Sequence, residues 1–285
     1  MKTMQLGEIL KRCEAVLQKA GIGNPRSESE YIVSSSCDIP PLEFFLLGKE
    51  KLVGRKEANL IDDAIERRIR NEPLQYIFRK AYFRDLELEV GPGVLIPRPE
   101  TEQLVGIVIR NSVSGAKVCD VGTGSGAIPL SLAYEKKLEC VGLDLSPLAL
   151  AYAEKNREKY KLPNVSFLIS DLFSAFKCEN RKFDVITANL PYVTTAEFAE
   201  LPCEIRSFEP MLALEAGTGG LDVIRLLVND AWKYLGKGGF AILEISPHQK
   251  EPLETSLLEN GNYKDIIFEK DLNGDIRFCH FKNIN

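Results

Sequence analysis

Lys117-Val-Cys-Asp-Val-Gly-Thr-Gly-Ser-Gly126 is the stretch whose reading decides the fold. Residues 117–121 are a short apolar run that suits a buried strand, and three glycines in five residues then force a tight turn. Residues 127–134 follow with helical spacing, and 138–143 form a second apolar run that ends on Asp144. Strand, glycine turn, helix, strand is one right-handed crossover unit of a parallel sheet. The alternation continues downstream. A helix is expected over 147–160, strands over 165–169 and 183–188, a helix over 221–235, and a strand over 240–245. Two last strands, 262–270 and 275–282, meet at Asn273-Gly274, a hairpin signal. The chain is therefore predicted to be α/β, a doubly wound Rossmann-like sheet with an antiparallel C-terminal edge hairpin.

Working outward toward the amino terminus, the period changes. Leu6, Ile9, Leu10, Cys13 and Leu17 keep helical spacing, and Gly21 and Gly23 stop the helix. Further short helices are expected over 27–36, 41–47 and 59–70, the last with Leu60, Ile61, Ala64 and Ile65 on one face. A small helical bundle over residues 1–80 follows, suited to recognising a partner. Alternation over 81–90, the turn Gly91-Pro-Gly93 and the run Val94-Leu-Ile-Pro97 read as a β-hairpin linker over 81–100. The domain of the parallel sheet then spans 101–285, with Thr101 as a helix cap.

Composition narrows the function classes. Among 285 residues, 45% are apolar and 27% charged, the balance of a water-soluble globular protein. No run approaches the ~18 apolar residues of a membrane span, and the first residues lack an apolar leader segment. A cytoplasmic protein without membrane contact is expected. Seven cysteines without C-x-x-C spacing fit reduced thiols, and two histidines, His248 and His280, make a zinc site or a His-based triad hard to assemble. Net charge is −5 overall, +2 in residues 1–80 and −7 in the remainder, so stable nucleic-acid binding is not expected.

The glycine turn alone leaves the ligand open. Gly122-x-Gly124-x-x-Ala127 with Asp144 serves NAD as well as S-adenosylmethionine, because both present a ribose diol. Its neighbours favour the second. Asp120 suits an amino group and would repel a pyrophosphate. Asp171, with Leu172, stands at the end of the third strand, where an adenine ring would lie. Phe183-Asp-Val-Ile-Thr-Ala-Asn-Leu-Pro-Tyr192 ends a buried strand abruptly at Pro191. That turn offers two acceptors, the Asn189 amide oxygen and the Leu190 carbonyl, beside Tyr192. The pair suits a planar –NH₂ group, and nothing in the chain supplies an acid or base for hydride transfer.

In this order, Asp120-Val-Gly-Thr-Gly-Ser-Gly126, Gly142-Leu-Asp144, Ser170-Asp171 and Asn189-Leu-Pro-Tyr192 resemble the motifs of class I S-adenosylmethionine-dependent methyltransferases of the amino-methylating type. Glu72-Pro-Leu-Gln-Tyr-Ile77, Pro92-Gly-Val-Leu-Ile-Pro-Arg-Pro-Glu-Thr-Glu102 and Glu209-Pro-Met-Leu-Ala-Leu214 resemble more narrowly the HemK/PrmC family. These are the glutamine methyltransferases of peptide chain release factors, and the resemblance covers nearly the whole chain. It implies S-adenosylmethionine as cofactor, held by Asp120, Gly122, Thr123, Gly124, Ser125, Gly126, Asp144, Asp171, Leu172 and Asn189. It implies Asn189, Leu190, Pro191 and Tyr192 as the catalytic tetrapeptide, no metal, and a class 1 release factor as protein substrate. The reacting group would be the glutamine amide of its Gly-Gly-Gln motif, with Arg98 and Glu100 shaping the pocket. Alternatives are a ribosomal-protein glutamine and the adenine amine of DNA, the latter without a visible target-recognition domain. An S-adenosylmethionine-binding adaptor remains open because Leu190 replaces the family's usual proline. A second departure is Ser246, where a glycine is usual.

Overall fold

A computed structural model describes residues 4–46 and 51–285. Leu47, the expected end of the third helix, and Met1, Lys2 and Thr3 of the amino-terminal reading lie outside them. The chain divides into two compact units after Arg79. In the first, β1 (Met4–Gln5) pairs antiparallel with β2 (Leu52–Val53). Around this pair lie α1 (Leu6–Lys19), α2 (Pro25–Ser36), α3 (Pro41–Leu46), α4 (Arg55–Arg68) and α5 (Leu74–Phe78). Leu6, Ile9, Cys13 and Leu17 form one stripe of α1 and are buried against Ile32, Val33 and Ile61. Helix α2 starts earlier than its serines suggest because Pro25, which lacks the N–H that a first turn cannot use, occupies the first helical position. Arg68 grips Glu28 through two hydrogen bonds, Nε to Oε2 at 2.6 Å and a terminal nitrogen to Oε1 at 3.1 Å, joining α4 to α2. A planar guanidinium does this at low exposure because both carboxylate oxygens are engaged at once.

The second unit opens with β3 (Lys80–Phe83) and β4 (Leu86–Glu89), a hairpin whose two-residue turn is Arg84-Asp85. This corrects the expected hairpin: the alternation of 81–90 conceals its own turn, and Val94–Pro97 is not a strand. Arg84 carries the positive φ of 50° that the turn requires. Its backbone N–H donates to Glu102 and its guanidinium binds Glu135, tertiary contacts that no turn propensity announces. Helix α6 (Thr101–Asn111) leads into the sheet.

The seven-stranded sheet contains β5 (Lys117–Val121), β6 (Glu139–Asp144), β7 (Val165–Ile169), β8 (Phe183–Ala188), β9 (Leu235–Glu244), β10 (Tyr263–Lys270) and β11 (Ile276–Asn283). Its order is β10-β11-β9-β8-β5-β6-β7. The five strands β5 to β9 run parallel, and the terminal hairpin adds an antiparallel edge through β11 on β9. Helices α7 (Ala127–Lys136), α8 (Pro147–Tyr160), α9 (Thr195–Glu200), α10 (Cys203–Phe208), α11 (Asp222–Tyr234) and α12 (Lys250–Asn260) complete the unit. Two apolar clusters flank the sheet, one with Leu104, Val118 and Leu130, the other with Ile186, Leu227 and Leu243. The sheet is covered on both faces, so its strands read as continuous apolar runs. Strand order reverses at β5, and this is where the crevice opens. Among the described residues no helix is long and apolar enough to cross a membrane.

Candidate active site

A cavity of about 270 Å³ lies beyond the carboxyl ends of β5, β6, β7 and β8. It brings together Gly122, Thr123, Gly124, Ser125, Asp144, Asp171, Leu172, Asn189, Leu190 and Pro191 from the expected set. Arg98 also lines it. Asp120, Gly126, Tyr192 and Glu100 do not.

The glycine turn is shaped from beneath. The N–H groups of Gly122 and Thr123 both donate to the Leu143 carbonyl, at 2.8 and 2.9 Å. Gly122 has φ of 75°, and an added Cβ would stand 2.9 Å from the Leu190 side chain, so both conformation and space call for glycine. Asn156, fully buried on α8, fastens the turn to the hairpin: its amide group donates to the carbonyls of Ser125 and Glu89 and accepts from the Glu89 N–H. Asp144, at the end of β6, accepts from the N–H of Gly124 on one oxygen and of Ser146 on the other, each at 2.8 Å. Burial raises its pKa, and these backbone donors act against that rise. Its remaining lone pairs are acceptors at the cavity wall.

Asp120 is buried under the turn. Its Oδ1 accepts from the Thr187 hydroxyl at 2.6 Å, and its Oδ2 has no partner among the described residues. The Thr123 hydroxyl is buried beside it. Burial pushes Asp120 up to about 6, against the lowering effect of the hydroxyls near it. Asp171 is exposed at the end of β7. Leu172 adopts a φ of 45°, a region leucine rarely occupies, while its carbonyl accepts from the Ser170 hydroxyl at 2.6 Å. Backbone strain at a cavity wall is a mark of functional segments.

At the other end, Thr101 is not the expected cap. Glu100 already has helical dihedrals, which frees the Thr101 hydroxyl for tertiary contacts. That hydroxyl donates to Glu244 Oε2 at 2.6 Å and accepts from Asn189 Nδ2 at 3.0 Å. Glu244, at the end of β9, is 1% exposed, and burial raises its pKa to about 7. Leu190 is buried against the turn, and burial lifts the Tyr192 phenol to about 12. The Tyr192 carbonyl accepts from Gln249, which also caps the Ser246 N–H. Ser246 has φ of −87°, an ordinary value for any residue, so glycine is not needed there.

Three further residues take roles that the sequence reading did not assign, and Glu209 is the first. Glu209 is 5% exposed; it accepts from the Ile96 N–H at 3.0 Å and from Arg98 at 2.6 Å. It clasps two segments of the rim. A carboxylate inside Phe-Glu-Pro carries no local signal of that role. Thr101 and Glu244 were equally hidden, since their pairing spans most of the sheet.

Residues 112–257 match a family described as a methyltransferase domain, and residues 8–78 one described as the PrmC N-terminal domain. The release factor glutamine methyltransferase of Thermodesulfovibrio yellowstonii is 37% identical over 252 residues, which covers 87% of this chain and 88% of that protein. That of Geobacter sulfurreducens is 32% identical over 268 residues, covering 94% and 93%. Among solved structures, a methyltransferase from Pyrococcus furiosus superposes with a TM-score of 0.52 at 20% identity, over 70% of this chain and 90% of its own. The Thermus thermophilus 16S rRNA N2 G1207 methyltransferase gives 0.52 at 23%, over 72% and 49%. These two likenesses establish a class I methyltransferase fold. The relatives extend further, over both units of this chain and nearly their own full lengths, and by them the chain belongs to the release factor glutamine methyltransferase family.

Proposed function

We propose that this protein transfers a methyl group from S-adenosylmethionine to the side-chain amide nitrogen of the glutamine in the Gly-Gly-Gln motif of a class 1 release factor, in the cytoplasm. The observation that carries the reading is the Asn189 amide, held from behind by Thr101 at the mouth of a cavity that also contains Asp144 and the glycine turn.

The residues present fit the cofactor. Asp144 offers carboxylate lone pairs suited to a ribose diol, and Gly124, where an added Cβ would meet only Val94 at 3.9 Å, leaves bare backbone at the cavity wall. Asp120, 1% exposed and off the cavity wall, would serve from beneath the turn, beside the Thr187 and Thr123 hydroxyls. Gly124 and Ser125 at the cavity wall would complete the cradle, with Gly126 shaping the turn behind them, and Asp171 and Leu172 would flank the adenine. When bound, S-adenosylmethionine supplies an electrophilic methyl group on a sulfonium.

The chain's own contribution is orientation. Asn189 Oδ1 and the Leu190 carbonyl accept the two N–H bonds of the glutamine amide and fix its plane. An amide nitrogen is a poor nucleophile because its lone pair is delocalised into the carbonyl. Two fixed acceptors favour positive charge on that nitrogen and so stabilise the transition state more than the ground state. Pro191 restrains Leu190 from the following side, and Tyr192 packs behind it. Residues 1–80 contact the protein substrate away from the reacting glutamine.

Labelled S-adenosylmethionine and purified release factors, followed by mass mapping of the modified residue, test the reading. Label on the Gly-Gly-Gln glutamine is expected. Label only on a ribosomal protein or on DNA adenine would replace the substrate, and cofactor binding without transfer would leave an adaptor.

A further inference from the structure

The amide of Asn189 could present either its oxygen or its –NH₂ to a ligand, since the two ends have the same shape. Which end faces the substrate decides whether the site accepts or repels an N–H group. We propose that Thr101 and Glu244 are positioning residues that set this choice, a relay in which a buried carboxylate dictates the direction of two hydrogen bonds. The inference rests on the acceptor role of Asn189 given above.

The argument is one of counting protons. A threonine hydroxyl has one proton to give. At 2.6 Å from Glu244 Oε2, that proton goes to the carboxylate, which while ionised can only accept. Thr101 Oγ1 is then left with lone pairs alone, so the atom 3.0 Å away on Asn189 must be the –NH₂ group. The Asn189 oxygen is thereby turned away from Thr101 and left as the free acceptor. If Glu244 takes a proton, it can donate to Thr101. The threonine proton is then released toward Asn189, and the amide is favoured in the opposite sense. The Thr101–Glu244 bond is buried, with Thr101 4% and Glu244 1% exposed, so water does not compete for it.

The charged and titratable groups facing Glu244 are Arg277 from β11, Arg98 and Glu100 from the segment before α6, and Tyr192 from the turn after β8. Arg277 is engaged with Asp271 and Arg98 with Glu209, so neither forms an ion pair with Glu244. Burial without a direct counter-ion brings the carboxyl to about 7, inside the working range of most cytoplasmic enzymes.

The test uses the full-length protein, S-adenosylmethionine and a purified release factor between about pH 6 and 9. Cofactor affinity by calorimetry serves as the check on folding. Thr101→Val should lower kcat by about tenfold or more with cofactor affinity within about twofold of the parent, and Thr101→Ser should restore most of it. The kcat of the parent should rise with pH through about 7, and that rise should vanish in Glu244→Gln. Thr101→Val turning over like the parent, while Asn189→Ala loses about a hundredfold, would overturn the relay and leave the Asn189 role intact. An unchanged pH rise in Glu244→Gln would overturn it too. Normal turnover in Asn189→Ala would remove the Asn189 role, and the relay with it.

Discussion

At one end of the cavity the Asp144 carboxylate is held by two backbone amides, those of Gly124 and Ser146. At the other end the Asn189 amide is held by a single hydroxyl, itself held by a buried carboxylate. The difference is one of tolerance. Backbone donors survive side-chain substitution and carry no proton that titrates near neutrality, so the Asp144 end is robust. The Asn189 end depends on the identity of two side chains and on the protonation of one of them. Cofactor binding should therefore change little where methyl transfer changes much.

Replacing Asn189 with Ala should expose the contrast most. Loss of one preorganised acceptor should reduce kcat by about 10²–10³-fold, in line with other single transition-state contacts, and spare cofactor affinity. Calorimetry with turnover at saturating cofactor checks this; a weakened cofactor with normal kcat would erase the distinction between the two ends. Asp144→Ala should do the reverse. Cofactor affinity should fall by about 1.5–3 kcal/mol through lost charge-assisted hydrogen bonds, and unchanged affinity would remove Asp144 from the site.

A smaller effect concerns stability. Glu244 keeps its proton up to about 7 when folded, against an ordinary 4.5. Between those values the folded state binds more protons than the unfolded state, so stability falls as pH rises through the window. Asp120 adds a similar fall that ends near 6. The thermal midpoint should thus drop between about pH 5 and 7 in the parent and fall less steeply in Glu244→Gln. Equal slopes in the two proteins would place the titration elsewhere. Smallest of all should be Leu190→Pro. The acceptor there is a carbonyl that every residue has, and Pro191 already restrains it. A change in kcat of a few-fold at most, worth about 1 kcal/mol, is expected. Activity appearing only in the proline variant would show that Leu190 disables the turn.

Much of the larger unit was legible because its signals are local. The apolar runs, Gly122-x-Gly124 and Asn273-Gly274 each encode their own backbone, and their order encodes the sheet. The backbone around Asp144 was legible for the same reason, since Asp144 bonds to residues 20 positions away or fewer. The relay was not. Thr101 and Glu244 are 143 residues apart, and in sequence Thr101 reads as a helix cap. The Arg84-Asp85 turn was hidden because its positive φ goes with bonds to Glu102 and Glu135 rather than with a glycine or asparagine. Likewise the eventual burial of Asp120 could not be read from a carboxylate two positions before a glycine.

The Glu209 clasp gives the cavity a history as well as a shape. Ile96 leaves a growing chain well before Glu209 is made, and 113 residues separate the two. Four of the five parallel strands, β5 to β8, are synthesised in between. Closing so long a loop yields nothing until the intervening strands have drawn its ends together. The rim can therefore close only once four strands of the sheet are made, and the Asn189 end waits longer still, because Glu244 arrives with β9.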